Sequence, residues 1–258
     1  MRVNAPGFAG GDRTSLDLPE PQQHLLERLH ATGKPVVLVL LNGSALAVNW
    51  ADRHLRAIVE AWYPGGDGGR AVAELLAGDF SPSGRLPVTF YRSVDQLPPF
   101  KDYSMAGRTY RYFSGDVLYP FGHGLSYTRF SYGRPRADRA RVSAGEPVHL
   151  SVAVKNEGTR AGDEVVQLYV STSAAGAPIR SLRGFERIRL EPGETREVRF
   201  ELDETALSAV DASGRRSVEA GAVTVWIGGG QPASRAGLLP PAGASLEIQV
   251  VGRKVLPR

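Results

Sequence analysis

Two fold classes are expected in tandem along the 258 residues: an α/β layer with a mostly parallel sheet, then an all-β sandwich. Three observations predict this. Val36–Leu41 is a near-continuous apolar run, the mark of a strand covered on both faces. Ala57–Phe90 alternates strand, glycine turn, helix and strand signals, the rhythm of an α/β unit. From Val148 the period changes to two: Val148, Leu150, Val152 and Val154 alternate with His149, Ser151, Ala153 and Lys155. The length suits one or two domains at a prior of about 150 residues each.

In chain order, TSLDLPEPQQHLLERLHATG predicts the first helix. Pro21 suits a first turn, Leu25, Leu26 and Leu29 form an apolar stripe, and Gly33 stops it. A strand over Val36–Leu41 follows, then a turn at Asn42-Gly43-Ser44 and a helical turn at Asp52–Arg56. A second strand, Ala57–Tyr63, ends at Pro64, which cannot donate to a ladder. Val72, Leu75 and Leu76 give helical spacing, and Gly78 suits a left-handed C-cap. Ser81-Pro82-Ser83-Gly84 is a turn, and Leu86, Val88 and Phe90 alternate as in a half-buried strand. Ser93–Tyr127 is a long stretch rich in aromatics, Gly and Pro, a length that usually carries a function or a packing role. Thr128–Ala140 reads as a connector. Strands are then expected at Glu164–Val170, Arg183–Leu190, Glu197–Leu202, Val223–Ile227 and Leu246–Val250, parted by NEGTRAGD, EPGET, DASGRR and GGGQP. Tyr169, Phe185 and Trp226 are expected in the core or at an interface.

Composition narrows the function classes. An apolar fraction of 42% and a charged fraction of 22% are ordinary for a globular protein. No apolar run approaches the ~20 residues that span a bilayer, so no membrane partner is expected. MRVNAPGFAGGDR has no apolar segment of the signal-peptide kind. Net charge is +4, carried mostly by arginine, and the densest basic run, Arg129–Arg141, falls in the expected connector, so no nucleic-acid partner is expected. The absence of cysteine excludes disulfides, thiolate chemistry and Cys-ligated zinc.

Gly66-Asp67-Gly68-Gly69-Arg70-Ala71 fits the G-x-G-x-x-A pattern of a pyrophosphate cradle. The alternative is a tight strand-to-helix turn. The next strand, Leu86–Phe90, has no carboxylate at its end to hold a ribose, which favours the turn. His24, His30, His54, His123 and His149 show no metal-ligand spacing on a helix, and no nucleophile elbow is present. Neither a metal nor a cofactor is therefore expected.

Three longer words, AWYPG at Ala61–Gly65, LAGDFSPSGRLPVTF at Leu76–Phe90 and YPFGHGLSYTRF at Tyr119–Phe130, resemble glycoside hydrolase family 3 in order and spacing. GGDRTSLDLPEPQQ at Gly10–Gln23 fits the same pattern. NEGTRAGDEVVQLYV, LRGFERIRLEPGET and GAVTVWIGG are similar to the fibronectin type III-like domain that ends many such enzymes. The resemblance implies residues 1–127 as the C-terminal part of the family's α/β sandwich, 128–140 as a linker and 141–258 as a fibronectin type III-like β-sandwich. It thus implies the C-terminal fragment of a retaining β-glycosidase that removes terminal β-linked glucose or xylose. The alternative is a non-catalytic accessory protein that binds carbohydrate or another protein.

Retaining hydrolysis uses two carboxyl groups, a nucleophile and an acid/base. In the family the nucleophile is an Asp of the N-terminal barrel. The acid/base is expected just upstream of the passage resembling MRVNAPGFAGGDR, and no acidic residue precedes Asp12. No catalytic residue is assigned, and the chain alone is expected to be inactive and to partner the N-terminal barrel half. Arg108, Tyr110 and Tyr112 in GRTYRYF are candidates for the rim of a sugar pocket, where aromatic faces meet sugar C–H surfaces and Arg offers a planar fork of donors. The other reading is that they pin the long loop to the sheet. Asp12 matches the Asp of the family's Asp-Arg pair and joins them as a sugar-contact candidate, against a structural ion pair with Arg13. For the full-length enzyme the resemblance suggests a periplasmic or secreted location.

Overall fold

The computed structural model describes the backbone of residues 2–3 and 12–13 and all atoms of residues 14–99, 101–232, 235 and 237–257. A short antiparallel pair, β1 (Arg2–Val3) and β2 (Asp12–Arg13), precedes α1 (Glu20–His30). Pro21 sits in the first turn of α1, and Arg28 and His30 sit in the last, where cations complement the helix dipole. β3 (Val37–Leu40) and β4 (Ala57–Glu60) pair in parallel, joined through α2 (Asn49–His54). α3 (Gly68–Ala77) ends on Gly78 at φ 83°, the left-handed cap its position predicts.

Two expected strands change at specific residues. Ala57–Tyr63 stops at Glu60, because Trp62 takes a left-handed φ of 52° and its N–H donates to Glu60 Oε1 at 3.1 Å. Leu86–Phe90 forms a broken antiparallel ladder with the 118–123 segment. Leu86 N–H donates to His123 O, Gly122 N–H to Leu86 O, and Phe90 N–H to Tyr119 O. Pro87 and Pro120 carry no N–H, so the ladder cannot be continuous. The glycine pattern before α3 is the tight turn. A Cβ on Gly68 would overlap the Pro64 ring, 2.9 Å from its Cβ.

α4 (Thr109–Tyr112) lies in the long aromatic stretch. The segment 128–140 holds β5 (Phe130–Tyr132) and β6 (Arg136–Ala137), both paired with the later β8. β7 (Arg141–Ser143), β8 (Val148–Asn156), β9 (Gly162–Thr172), β10 (Ser181–Leu190) and β11 (Thr195–Leu202) follow. Then come α5 (Glu204–Leu207), β12 (Ala209–Val210), β13 (Arg216–Val218), β14 (Gly221–Gly228), β15 (Gly243–Val251) and β16 (Lys254–Val255). One sheet has the order β10-β9-β14-β15-β7; the facing one runs β11-β8-β5, with β6 also on β8. Their inner faces form one core around Val148, Leu150, Val166, Leu168, Val225 and Ile227. Burying each such side chain contributes about 1.5–3 kcal/mol.

Of the two places expected for Phe185, core or interface, the core is ruled out, for it is 69% exposed. On β10 the inward positions are Ile188 and Leu190, so Phe185 falls on the outward face with Arg187 and Arg189. Tyr169 is buried, and Trp226 is half-buried with its Nε1–H on Gly230 O at 2.8 Å.

The first half is apolar outside as well as inside. Its core gathers Leu26, Leu40, Val48, Phe90 and Leu118. Leu25 and Leu29 on α1, Val37 on β3, Leu41 after it, Leu76 on α3, Phe80 and Val88 are exposed. Among the described residues, β3 and β4 pair only with each other, so each keeps an open edge.

Candidate functional site

The two halves meet along the YPFGHG passage. Gly122 lies at φ 78°, and a Cβ there would sit 2.7 Å from the Tyr169 hydroxyl and closer still to the Gln167 amide. A Cβ on Gly124 would strike the Gly84 carbonyl. Glycine at both places lets this passage lie against β9 and the GRLP turn. Gln167 Nε2 then donates to Gly122 O at 3.2 Å and Gly229 O at 3.1 Å, and Tyr169 OH donates to Gln167 Oε1 at 2.6 Å.

Two buried ion pairs cross the junction. Arg85 Nη2 lies 3.0 Å from Glu164 Oε2, with the side chains 9% and 3% exposed. Arg85 Nε donates to Gly229 O, and Tyr132 OH donates to Glu164 Oε1 at 2.8 Å. Burial pushes the Glu164 carboxyl up, against the pull of Arg85. The second pair is bidentate: Arg235 donates to both Asp52 oxygens, at 2.8 and 3.0 Å, and Tyr119 OH donates to Asp52 Oδ1 at 2.7 Å. Burial works to raise the Asp52 carboxyl, but the bonds from Arg235 and Tyr119 outweigh it and hold it below the usual range.

His123 stacks on Tyr119, with centroids 5.5 Å apart and rings within 6° of parallel. Burial, then the charges of Arg85 and Arg235, lower its pKa from 6.5 to about 4, with Asp52 opposing. The unfolded chain therefore takes up a proton near pH 6.5 that the folded one refuses until about pH 4. Stability from this group is full above pH 6.5 and lost on acidification towards pH 4, up to about 3 kcal/mol. Chemical denaturation across this range should show that loss in the wild type and a flatter profile in His123→Phe. Equal slopes would contradict it.

A cavity of about 320 Å³ opens beside this junction. Thr89, Tyr110, Phe113 and Asp116 line it from the first half, and Arg180, Gln231 and Arg235 from the sandwich. Its one described carboxylate, Asp116, pairs with Arg92 at 2.7 Å. A separate groove holds Asp79 and Asp163, and Arg187 and Arg189 both pair with Asp163.

The expected sugar-contact residues fall in different surroundings. Tyr110 lines the cavity, stacks on Phe121 at 4.2 Å, sets its edge against Tyr169, and accepts the Leu182 N–H on its hydroxyl at 3.1 Å. Arg108 donates to Ser104 O at 3.0 Å, Pro99 O at 3.2 Å and Asp102 O, and so ties its own loop. Tyr112 is half-buried, with the Arg111 guanidinium 5.6 Å above its ring. Asp12 lies on β2 opposite Val3; its side chain falls outside the described residues. Sequence reasoning missed Asp52, Arg85, Glu164 and Arg235. Glu164 carried a signal, an acid on the inward face of β9 in phase with Val166 and Leu168.

The histidines stay apart from the cavity lining. His24 and His149 are exposed, and the His30 and His54 rings pack on Trp50 at 5.5 and 4.5 Å. Among the described residues no three His, Asp or Glu side chains gather as metal ligands would.

The arrangement is thus an α/β portion with open apolar faces, locked by buried charges to a β-sandwich. That is the class the family comparisons define. Residues 3–127 match the glycosyl hydrolase family 3 C-terminal domain, and residues 164–231 match the fibronectin type III-like domain. The chain belongs to glycoside hydrolase family 3, as a C-terminal portion with its fibronectin type III-like domain. It is 46% identical over 213 residues to a xylan 1,4-beta-xylosidase of Xylanibacter ruminicola, a match covering 82% of this chain and 24% of that protein. It is 40% identical over 230 residues to a periplasmic beta-glucosidase of Salmonella typhimurium, covering 84% and 30%. The β-glucosidase structure from Erythrobacter marinus superposes with a TM-score of 0.81 at 42% identity, covering 95% of this chain and 32% of that one. The chain therefore spans about a quarter to a third of the length of the proteins it matches.

Proposed function

We propose that this chain is the C-terminal part of a retaining β-glycosidase that releases terminal β-linked glucose or xylose, and that it supplies scaffold and pocket rim rather than the reacting acids. The observation that carries the reading is its similarity, over most of its length, to about a quarter to a third of a β-xylosidase and of a β-glucosidase, with residues 3–127 matching the family's C-terminal domain. The exposed leucines of α1, the open edges of β3 and β4 and Leu76 on α3 support it, because such surface suits an adjoining domain. The barrel half of the enzyme is the partner proposed for that surface. Tyr112 and Asp12 are proposed at the rim of the sugar pocket. Arg108 and Tyr110 enter as residues that shape the loop beside it.

The test is a chimera. The chain replaces the corresponding C-terminal portion of a related β-xylosidase, and the product is assayed on aryl β-xyloside and β-glucoside. The expected result is a soluble enzyme that hydrolyses at least one of them. A chimera that folds, as judged by circular dichroism, and cleaves neither would overturn the reading. Tight calorimetric binding of xylo- or cello-oligosaccharides by the chain alone would count for an accessory binding protein instead.

A further inference from the structure

Three arginines from three elements converge near Ser208 without an anion between them. Arg183 of β10 donates through Nη2 to Ser208 O at 3.2 Å, and Arg216 of β13 donates through Nη1 to Ser208 Oγ at 3.1 Å. Arg111 of α4 comes from the α/β half. Its carbonyl accepts the Ile179 N–H at 2.7 Å, just ahead of β10, and its guanidinium lies 5.6 Å from the Tyr112 ring. All three residues are half-buried. Burial, then the charges of Arg111 and Arg216, lower the Arg183 pKa, with Tyr110 and Asp203 opposing.

Among the described residues no carboxylate lies within 4.0 Å of any of the three, whereas Arg85 and Arg235 each have one. The carboxylate that acts on Arg183 is Asp203, which accepts the Ala206 N–H at 2.7 Å as the cap of α5. Three cations thus face one more distant carboxylate, and like charges held together repel. The Nε atoms of Arg111 and Arg183 are sealed and unbonded, so no ligand reaches them. The terminal nitrogens differ. Both on Arg111, Nη1 of Arg183 and Nη2 of Arg216 keep solvent access and bond nothing among the described residues.

Free guanidinium edges are the donors that phosphate oxygens take, and such charge-assisted bonds are strong ones. The excess of positive charge suits a dianion better than a monocarboxylate. We propose that Arg111, Arg183 and Arg216 bind a phosphate group, either free or carried on a sugar. The group bridges α4 of the α/β half to β10 and β13 of the sandwich.

Thermal melting and isothermal titration of the 258-residue chain test this, with sodium phosphate and glucose 6-phosphate compared against sodium chloride at matched ionic strength. Phosphate is expected to bind saturably with a Kd on the order of 1 mM, and about 10 mM of it should raise the melting temperature by about 3 °C over chloride. Equal affinity for glucose 6-phosphate assigns the site to the phosphate group alone; tighter binding adds a sugar contact. Arg111→Gln removes the unbonded terminal nitrogens and one of the repelling charges. It should melt no lower than the wild type in chloride and lose at least about fivefold in phosphate affinity, while Arg56→Gln, at an exposed arginine, keeps it. No saturable phosphate binding up to about 20 mM, wild-type affinity in Arg111→Gln, or an equal loss in Arg56→Gln would each overturn the proposal. Should Arg111→Gln fail to fold, Arg216→Gln carries the test: weakened phosphate binding supports the site, and unchanged binding removes it.

Discussion

Incubated alone with an aryl β-xyloside or β-glucoside, the purified chain is expected to release no aglycone above the uncatalysed rate. Retaining hydrolysis needs two carboxyl groups about 5–5.5 Å apart, one held protonated as the acid. The junction cavity has one described carboxylate, Asp116, and Arg92 holds it. Asp52 is clamped by Arg235 and Tyr119, and Glu164 by Arg85 and Tyr132. Glu60, at the end of β4, is pushed up by burial, as an acid would be. Its recorded partners, however, are the Trp62 N–H and the Asn42 amide, not a second carboxylate. Loss of one member of such a pair typically removes orders of magnitude in rate. Turnover that persists through further purification and disappears in Glu60→Gln would show that the chain carries its own catalytic acid.

The second large effect concerns Arg85→Met. Removing this cation leaves Glu164 buried without its counter-charge, a change that costs about 3–5 kcal/mol. It also removes one of the two donors on the Gly229 carbonyl, leaving Gln167 Nε2. At a few degrees per kcal/mol, the melting temperature should fall by roughly 10 °C. The loss should depend on pH. Without Arg85 the folded-state pKa of Glu164 rises further above 4.5, so the folded form keeps a proton that the unfolded form releases. The penalty is then largest at neutral pH and shrinks as pH falls towards 4.5. Glu164→Gln in the Arg85→Met background should recover part of the stability, because the buried charge is gone. A single variant as stable as the wild type at pH 7 would mean that the pair does not hold the halves together.

Local signals were read where local chemistry decides the outcome. Pro21 and Gly78 marked the ends of two helices because one lacks an N–H and the other tolerates positive φ. The period-two run from Val148 marked the sandwich, since one face of β8 must meet the core. Even the outward Phe185 was legible in principle, for it shares parity with Arg187 and Arg189 rather than with Ile188 and Leu190. The choice between sugar contact and loop pinning for Arg108 and Tyr110 was not, because GRTYRYF presents the same donors and rings whether they meet a sugar or the chain itself.

The sequence by itself determined the two fold classes, the glycine-bounded turns and the family words, all set by propensity and period within a few residues. Only the tertiary structure decided that Arg85 meets Glu164 across 79 residues and Arg235 meets Asp52 across 183. It also decided that Thr89, Arg180 and Arg235 line one cavity. No periodicity encodes such meetings; they follow from how Gly122 and Gly124 let one half approach the other, and from charges that cannot be buried there without a partner.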